Sequence, residues 1–421
     1  MASSTKSSAG SQPFSSYQKL VVAILAFMQF TIVLDFMILS PLGAVLMPAL
    51  QISPKQFGLV VSVYAFSAGL SGILAAGFAD RFDRKRMLMF FYAGFVLGTL
   101  LCGIASSYEF LLFARMVTGL FGGVIGSIVL AIATDLFPLQ MRGRVMGVVQ
   151  TAFGASQILG LPLGLYLSNH YGWHAPFQMI VAVSVAVGFV VMAKLRPINE
   201  HVGKNKEDAF EHLVNTVTVP RYAAAFATTS LLAIGGYMLM PFTSAFTVHN
   251  MGIPSDQLFK IYLVTGVAAI VSGPIVGRAA DSFGKLPVLV FGSVLAAIMV
   301  VIYTHLGVTP LPIVMLANVV LFVGIFSRMI PSQALMSAIP TPQSRGAFMA
   351  ITASLQQMAG GVAALVAGYL VTKAPDESLL HVERVGYVMC CTVAISVFMM
   401  VRITRSIAHS EAAALAAASV E

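Results

Sequence analysis

Twelve apolar runs, each about 20 residues or longer, constrain this chain more than any other feature. A helix crossing the roughly 30 Å hydrocarbon core of a bilayer needs about 20 mainly apolar residues. The runs fall at 18–47, 56–79, 87–106, 109–136, 144–168 and 175–195, then at 221–248, 257–280, 287–306, 310–338, 346–371 and 384–403. In lipid every backbone N–H and C=O must be satisfied within the segment, so runs of this length read as helices. Composition agrees. Charged residues make up 10% of the 421 residues and hydrophobic ones 58%, whereas a soluble domain carries about 25% charge. That excludes a soluble enzyme of this length.

Lys and Arg set the expected topology. With both termini in the cytoplasm, 18 of the 24 basic residues fall on the cytoplasmic side, including Arg84, Lys85, Arg86, Arg142, Arg144, Lys194, Arg196, Arg402 and Arg405. The net charge of +8 sits mostly in short loops and reads as this topology signal, with no nucleic acid implied. The expected layout is a disordered cytoplasmic tail over 1–17, a six-helix bundle over 18–195, and a solvated cytoplasmic linker over 196–220. A second bundle over 221–405 and a cytoplasmic tail over 406–421 follow. The Ser- and Ala-rich N-terminus lacks the features of a secretory signal.

The two halves repeat. Ala79-Asp80-Arg81-Phe82-Asp83-Arg84-Lys85 follows the second run, and Ala280-Asp281-Ser282-Phe283-Gly284-Lys285 follows the eighth. Arg142-Gly143 opens the fifth run and Arg345-Gly346 the eleventh; Tyr166-Leu167 and Tyr369-Leu370 lie further along them. Offsets of 201 and 203 residues imply two similar six-helix bundles in parallel repeat. In transporters such bundles enclose a site near the midplane and rock about it. No phosphate-binding Gly-x-x-x-x-Gly-Lys-Ser/Thr loop, metal-ligand cluster or cofactor motif is present in the sequence, so neither ATP nor another cofactor is expected. Cys102, Cys390 and Cys391 lie in apolar runs and read as small buried hydrophobes.

Several local motifs resemble the major facilitator superfamily, and within it the 12-spanner drug:proton antiporters, from about residue 18 to 405. The loop Ala76-Gly77-Phe78-Ala79-Asp80-Arg81-Phe82-Asp83-Arg84-Lys85 resembles the family's loop between its second and third spans, with Asp83 in place of its later Gly. The resemblance implies an inner-gate latch of Asp80, Arg81, Arg84, Asp135 and, by the repeat, Asp281. Arg115-x-x-x-Gly119-x-x-Gly122 in the fourth span resembles a second family motif. Gly160, Pro162 and Gly164 in the fifth span loosely resemble the antiporter signature, which in the family accompanies export. A plain packing kink is the competing account, since Pro removes a backbone donor and bends a helix.

Asp35 is the one acid well inside the first span. An Arg at the depth of Arg115 costs about 2.5–3.5 kcal/mol on the insertion scale and needs a partner or an aqueous cavity. The family's first-span acid sits in a similar context, which makes Asp35 the expected proton carrier and Arg115 its tuning partner. A static ion pair is the alternative. The two lie at different estimated depths, roughly 9 Å apart at 1.5 Å per residue, so contact is left open. In the second half, Tyr237, Asn318, Arg328 and Gln357 are the expected cavity residues. Arg328 has two competing roles, binding a polar or anionic substrate group or pairing near the inner gate.

The resemblance implies a proton-coupled secondary transporter of the inner membrane, and no enzyme. It would export small amphipathic or drug-like compounds by alternating access and work as a monomer. Its partners would be a small-molecule substrate, protons and the lipid bilayer. A sugar or metabolite exporter, a lipid translocase and a non-transporting receptor of the same fold are the alternatives.

Overall fold

The structure is a computed structural model and describes residues 14–76, 82–199, 209–341 and 344–418. Residues 1–13 of the expected N-terminal tail, Asp80, Arg81 and linker residues 200–208 lie outside the described residues. Among the described residues, twelve helices are long and apolar enough to cross a membrane. They are α1 (Ser16–Leu50), α2 (Pro54–Ala75), α3 (Arg84–Gly103), α4 (Tyr108–Leu136), α5 (Met141–Tyr171) and α6 (Ala175–Lys194), then α7 (Tyr222–His249), α8 (Ser255–Phe283), α9 (Lys285–Thr304), α10 (Leu311–Met336), α11 (Arg345–Leu370) and α12 (Val382–Arg405). The helix of α12 continues to Ala418 past the apolar part. A short helix, Ala209–Thr218, lies in the linker.

The helices form two six-helix bundles with matching internal packing. In the first, α3 packs on α4 and α6, α2 on α4, and α1 on α5 and α6. In the second, α9 packs on α10 and α12, α8 on α10, and α7 on α11 and α12. Adding six to each number in the first set yields the second, so the sequence repeat is also a packing repeat. The seam between bundles obeys the same symmetry: α2 meets α11, α5 meets α8, and α1 meets its own mate α7.

Small residues bring the bundles together, as expected where helices associate through close backbone approach. A Cβ at Gly58 would stand 2.6 Å from the Ala364 carbonyl oxygen, and one at Gly266 would stand 2.9 Å from Ile158. Hydrogen bonds across the seam cluster toward the face opposite the termini. Ser62 donates to the Gly361 carbonyl at 2.8 Å, Ser244 to the Ser40 carbonyl at 2.7 Å, and Asn169 to the Ser255 carbonyl at 3.2 Å; Ser40 also donates to the Met240 carbonyl. Lys55 sits 4.4 Å from the Tyr369 ring centroid on the same side.

The seam loosens toward the face that carries the termini. On α5 a Cβ at Gly154 would press on Ile270 of α8 at 2.8 Å, yet one at Gly147 or Gly143 meets nothing within 4 Å. Gly273 and Gly277 of α8, and Gly346 of α11, likewise face open space. The α5–α8 side of the molecule is thus closed at the opposite face and splayed at the terminal face.

One element has no counterpart in the sequence-based expectation. The α11–α12 connection forms a two-stranded hairpin, with β1 (Thr372–Lys373) antiparallel to β2 (Leu379–Leu380). The Asn250 side chain exchanges two hydrogen bonds with the Leu379 backbone, at 2.8 and 2.9 Å, and pins the hairpin to the end of α7.

Candidate functional site

The first bundle buries an ion pair. Asp35 on α1 and Arg115 on α4 are each 0% exposed. Arg115 Nη1 donates to Asp35 Oδ2 at 2.8 Å, so the two residues are in direct contact and the question of their depth is closed. Arg115 comes from further toward the opposite face, and its side-chain length spans the difference. Thr99 on α3 donates to the other carboxylate oxygen at 3.2 Å. The Arg115 guanidinium lies 4.3 Å from the Tyr64 ring centroid on α2, a cation–π contact worth about 2 kcal/mol when desolvated. Its Nε has no hydrogen-bond partner among the described residues. Four helices therefore converge on one ion pair, and a proton arriving on the carboxylate would remove the charge that holds Arg115.

Gly160 and Gly164 act on this site through α1. A Cβ at Gly160 would lie 2.5 Å from Leu34 Cδ1, and one at Gly164 would collide with Ile38. Those residues flank Asp35, so the glycines let α5 press α1 into position. Pro162 lies just past a π-helical turn, Ser156–Gly160, inside α5. Proline lacks the N–H of a regular helix and crowds the carbonyl four residues back; widening the helix there accommodates both effects.

A relay of rings leads from the pair to the seam. Tyr64 stands 5.6 Å from Phe36, and Phe36 stands 5.8 Å from Tyr237 on α7. Phe36, Tyr237, Ser40, Met240 and Gly360 line a cavity of about 20 Å³ between the bundles, room for about one water molecule. Tyr237 thus lies in the space between the bundles. Asn318 and Gln357 do not line that cavity. Asn318 is buried inside the second bundle, where Thr265 donates to its Oδ1 at 3.3 Å and its Nδ2 reaches the Tyr303 hydroxyl at 3.4 Å. Gln357 is half-buried on α11.

Asn318 has a further meaning. It lies 203 residues after Arg115, and Thr265 lies 201 after Tyr64. The α8–α9–α10 cluster of Thr265, Tyr303 and Asn318 is therefore the neutral counterpart of the charged cluster in the first bundle. The repeat offset alone could have located it.

At the terminal face, Arg84 Nε donates to Asp135 Oδ2 at 3.0 Å, joining the start of α3 to the end of α4. Asp83 caps α3 by accepting from the Arg86 N–H at 2.9 Å, and its other oxygen accepts from the Ile198 N–H at 2.8 Å. The residue standing where the family pattern has Gly thus ties the start of α3 to the linker. Arg142 donates to the carbonyls of Thr134 and Phe137, at 2.7 and 3.0 Å, and caps α4, whose last carbonyls have no helical partner. Asp281 is exposed and joins no ion pair among the described residues. It does not take part in the Arg84–Asp135 contact, and the repeat of the loop does not extend to a repeat of this bridge. The structure does not describe Asp80 or Arg81.

Arg328 on α10 is 2% exposed, and none of its three guanidinium nitrogens has a hydrogen-bond partner among the described residues. It neither reaches the terminal face nor pairs there, which removes the gate-pairing alternative in this state.

Known proteins carry the same architecture. A 347-residue stretch is 25% identical to the uncharacterized MFS-type transporter YceJ of Bacillus subtilis, covering 81% of this chain and 86% of the relative. Multidrug resistance protein MdtG of Salmonella arizonae is 26% identical over 248 residues, 58% of this chain and 61% of that protein. A bacterial homolog of the human lysosomal transporter Spinster, in an inward-facing and occupied conformation, superposes with a TM-score of 0.74 at 14% identity, covering 93% of this chain and 98% of the other. The sequence model of the Major Facilitator Superfamily matches residues 25–365 and again 225–417. A match that takes in nearly every span, on a fold built from two packing-equivalent six-helix bundles, shows that the chain belongs to the Major Facilitator Superfamily.

Proposed function

We propose that this transporter is a proton-coupled exporter of small amphipathic or drug-like compounds, working by alternating access in the inner membrane with both termini in the cytoplasm. The observation that carries this reading is the buried Asp35–Arg115 pair at 2.8 Å, one ring contact removed from the seam through Tyr64 and Phe36. Asp35 loads a proton when the cavity opens to the outside and releases it when substrate enters from within. Protonation frees Arg115 from its carboxylate. That change alters the packing of α1 against α4 and so biases the seam between open states, as a ligand does when it binds one state better.

The bundles 18–195 and 221–405 move as units. With the termini cytoplasmic, the splayed α5–α8 side is the inward-open state, closed outside by Ser40, Ser62 and Ser244. The Arg84–Asp135 bridge belongs to the latch that shapes the inner face. MdtG, a multidrug resistance protein by name, supports a drug-like cargo, and the Gly160–Pro162–Gly164 stretch supports export. The protein performs this cycle as a monomer, binds no cofactor and is no enzyme.

The test is proton release by purified protein in detergent on addition of cationic dyes, neutral drugs and sugars, with Asp35→Asn run beside the wild type. Release by the wild type and none by the variant is the expected result. Substrate binding with identical proton behaviour in both proteins would end the role assigned to Asp35.

A further inference from the structure

The apolar core of the second bundle is divided. One cluster near the terminal face gathers Phe226, Leu289, Met336, Phe348 and Met400. The other, toward the opposite face, includes Met238, Val300, Leu321 and Met389. Between them along the helices lie buried Ser293, Ser327, Arg328 and Ser396, together with Gly235 and Thr392. The guanidinium faces α7. A Cβ at Gly235 would stand 3.3 and 3.4 Å from Nη1 and Nη2, and 2.9 Å from Thr392 Oγ1. At the next residue, Gly236, a Cβ meets nothing within 4 Å. The regular helix of α7 ends at Tyr237, and a 3-10 turn follows at Met240–Phe242.

A guanidinium stays charged in proteins, and a buried charge without a counterion costs several kcal/mol. Among the described residues Arg328 forms no ion pair. Acids of the second half up to the end of α12 are Asp256, Asp281, Asp376, Glu377 and Glu383, all at or beyond the ends of spans. Arg328 is also no relic of the duplicated ion pair. The repeat mate of Arg115 is Asn318, and the residue 203 positions before Arg328 is Ile125. A charge with no counterpart in the repeat, its three nitrogens without a hydrogen-bond partner among the described residues and two of them packed against Gly235, calls for an acceptor supplied from outside the chain.

We infer that Arg328 is a binding site for the carboxylate of the transported compound, so that the cargo is an amphipathic monocarboxylic acid. The planar guanidinium matches a carboxylate through two parallel hydrogen bonds. The Gly235–Gly236 stretch is the approach, and the apolar body of the compound lies against Tyr237, Phe36 and Met240 at the seam. The inference rests on the export reading only in taking the bound acid as cargo.

The test compares acids with their neutral amides: 2-naphthoate against 2-naphthamide, and octanoate against octanamide, by equilibrium dialysis with purified full-length protein. The wild type should bind each acid about tenfold or more tightly than its amide, as befits hydrogen bonds to a charged group. Arg328→Gln should abolish the preference and leave amide binding within about twofold, Arg328→Lys should keep part of it, and Gly235→Val should weaken the acids. Equal binding of acid and amide by the wild type overturns the assignment without any variant. A preference that survives Arg328→Gln also overturns it, as does chloride displacing bound probe at a site that does not favour the acids. Asp35→Asn separates the two readings. Retained acid preference with proton release lost in that variant supports both. Proton release that persists in that variant while the preference holds refutes only the carrier role of Asp35.

Discussion

Removing Arg115 alone should harm the protein more than removing Arg115 and Asp35 together. In the wild type the carboxylate is fully buried, held by Arg115 at 2.8 Å and Thr99 at 3.2 Å. Arg115→Met leaves it with one hydroxyl. Breaking a buried pair from one side costs about 3–5 kcal/mol, while replacing both partners by apolar residues of similar volume is close to neutral. Taking about 2 °C per kcal/mol, the value for larger domains, the single variant should melt about 6–10 °C below wild type in detergent. Asp35→Leu with Arg115→Met should recover most of that loss and transport nothing. The deficit of the single variant should narrow in acidic buffer, because a protonated carboxyl no longer needs a cation. The assay is a thermal unfolding series across pH on four proteins, with flux measured in proteoliposomes. If Arg115→Met melts with the wild type at neutral pH, Asp35 is not held as an ion by Arg115 and the reasoning fails. If the double variant is the least stable of the four, the pair is structural and its cost has been misjudged.

Other perturbations read other parts of the molecule. Gly164→Leu drives a side chain into Ile38 beside Asp35 and should cost about 1–3 kcal/mol of overpacking, whereas Gly147→Ala, which meets nothing within 4 Å, should leave the melting temperature within a degree or so; paired thermal melts check both. Ser244→Ala removes a 2.7 Å seam hydrogen bond, worth about 1 kcal/mol, and should shift the population toward the state open at the face opposite the termini, read as a longer spin-label distance between α1 and α7 at that face. Asp135→Asn weakens the 3.0 Å contact with Arg84 and should lower stability by about 1–2 kcal/mol with transport slowed; unchanged flux would detach this bridge from the gate.

Much of this protein was legible from residue order. Burial of a backbone in lipid is a local requirement, met within about 20 residues, so the spans could be counted along the chain. The repeat was legible too, because Asp80 and Asp281, or Arg142 and Arg345, keep their spacing whatever the helices do in space. The contact between Asp35 and Arg115 was not, since it depends on how α1 and α4 rotate about their axes. Depth along the helix left contact open, and the length of the Arg115 side chain closes the gap. Asn318 shows the same limit: its place on α10 was known, but its inward rotation toward Thr265 and Tyr303 took it away from the seam.

Sequence by itself determined the class, the span count, the duplication and the residue types available for chemistry. Only tertiary structure decided which charges met. It closed the seam at Gly58 and Gly266 and opened it at Gly147 and Gly277, paired Arg115, and left Arg328 without a partner. The division has a physical cause. Insertion into a bilayer is driven by transfer of each segment on its own, a sum over neighbouring residues. Association of helices within the bilayer has no such hydrophobic drive and rests on shape, close backbone approach and single hydrogen bonds between residues far apart in the chain.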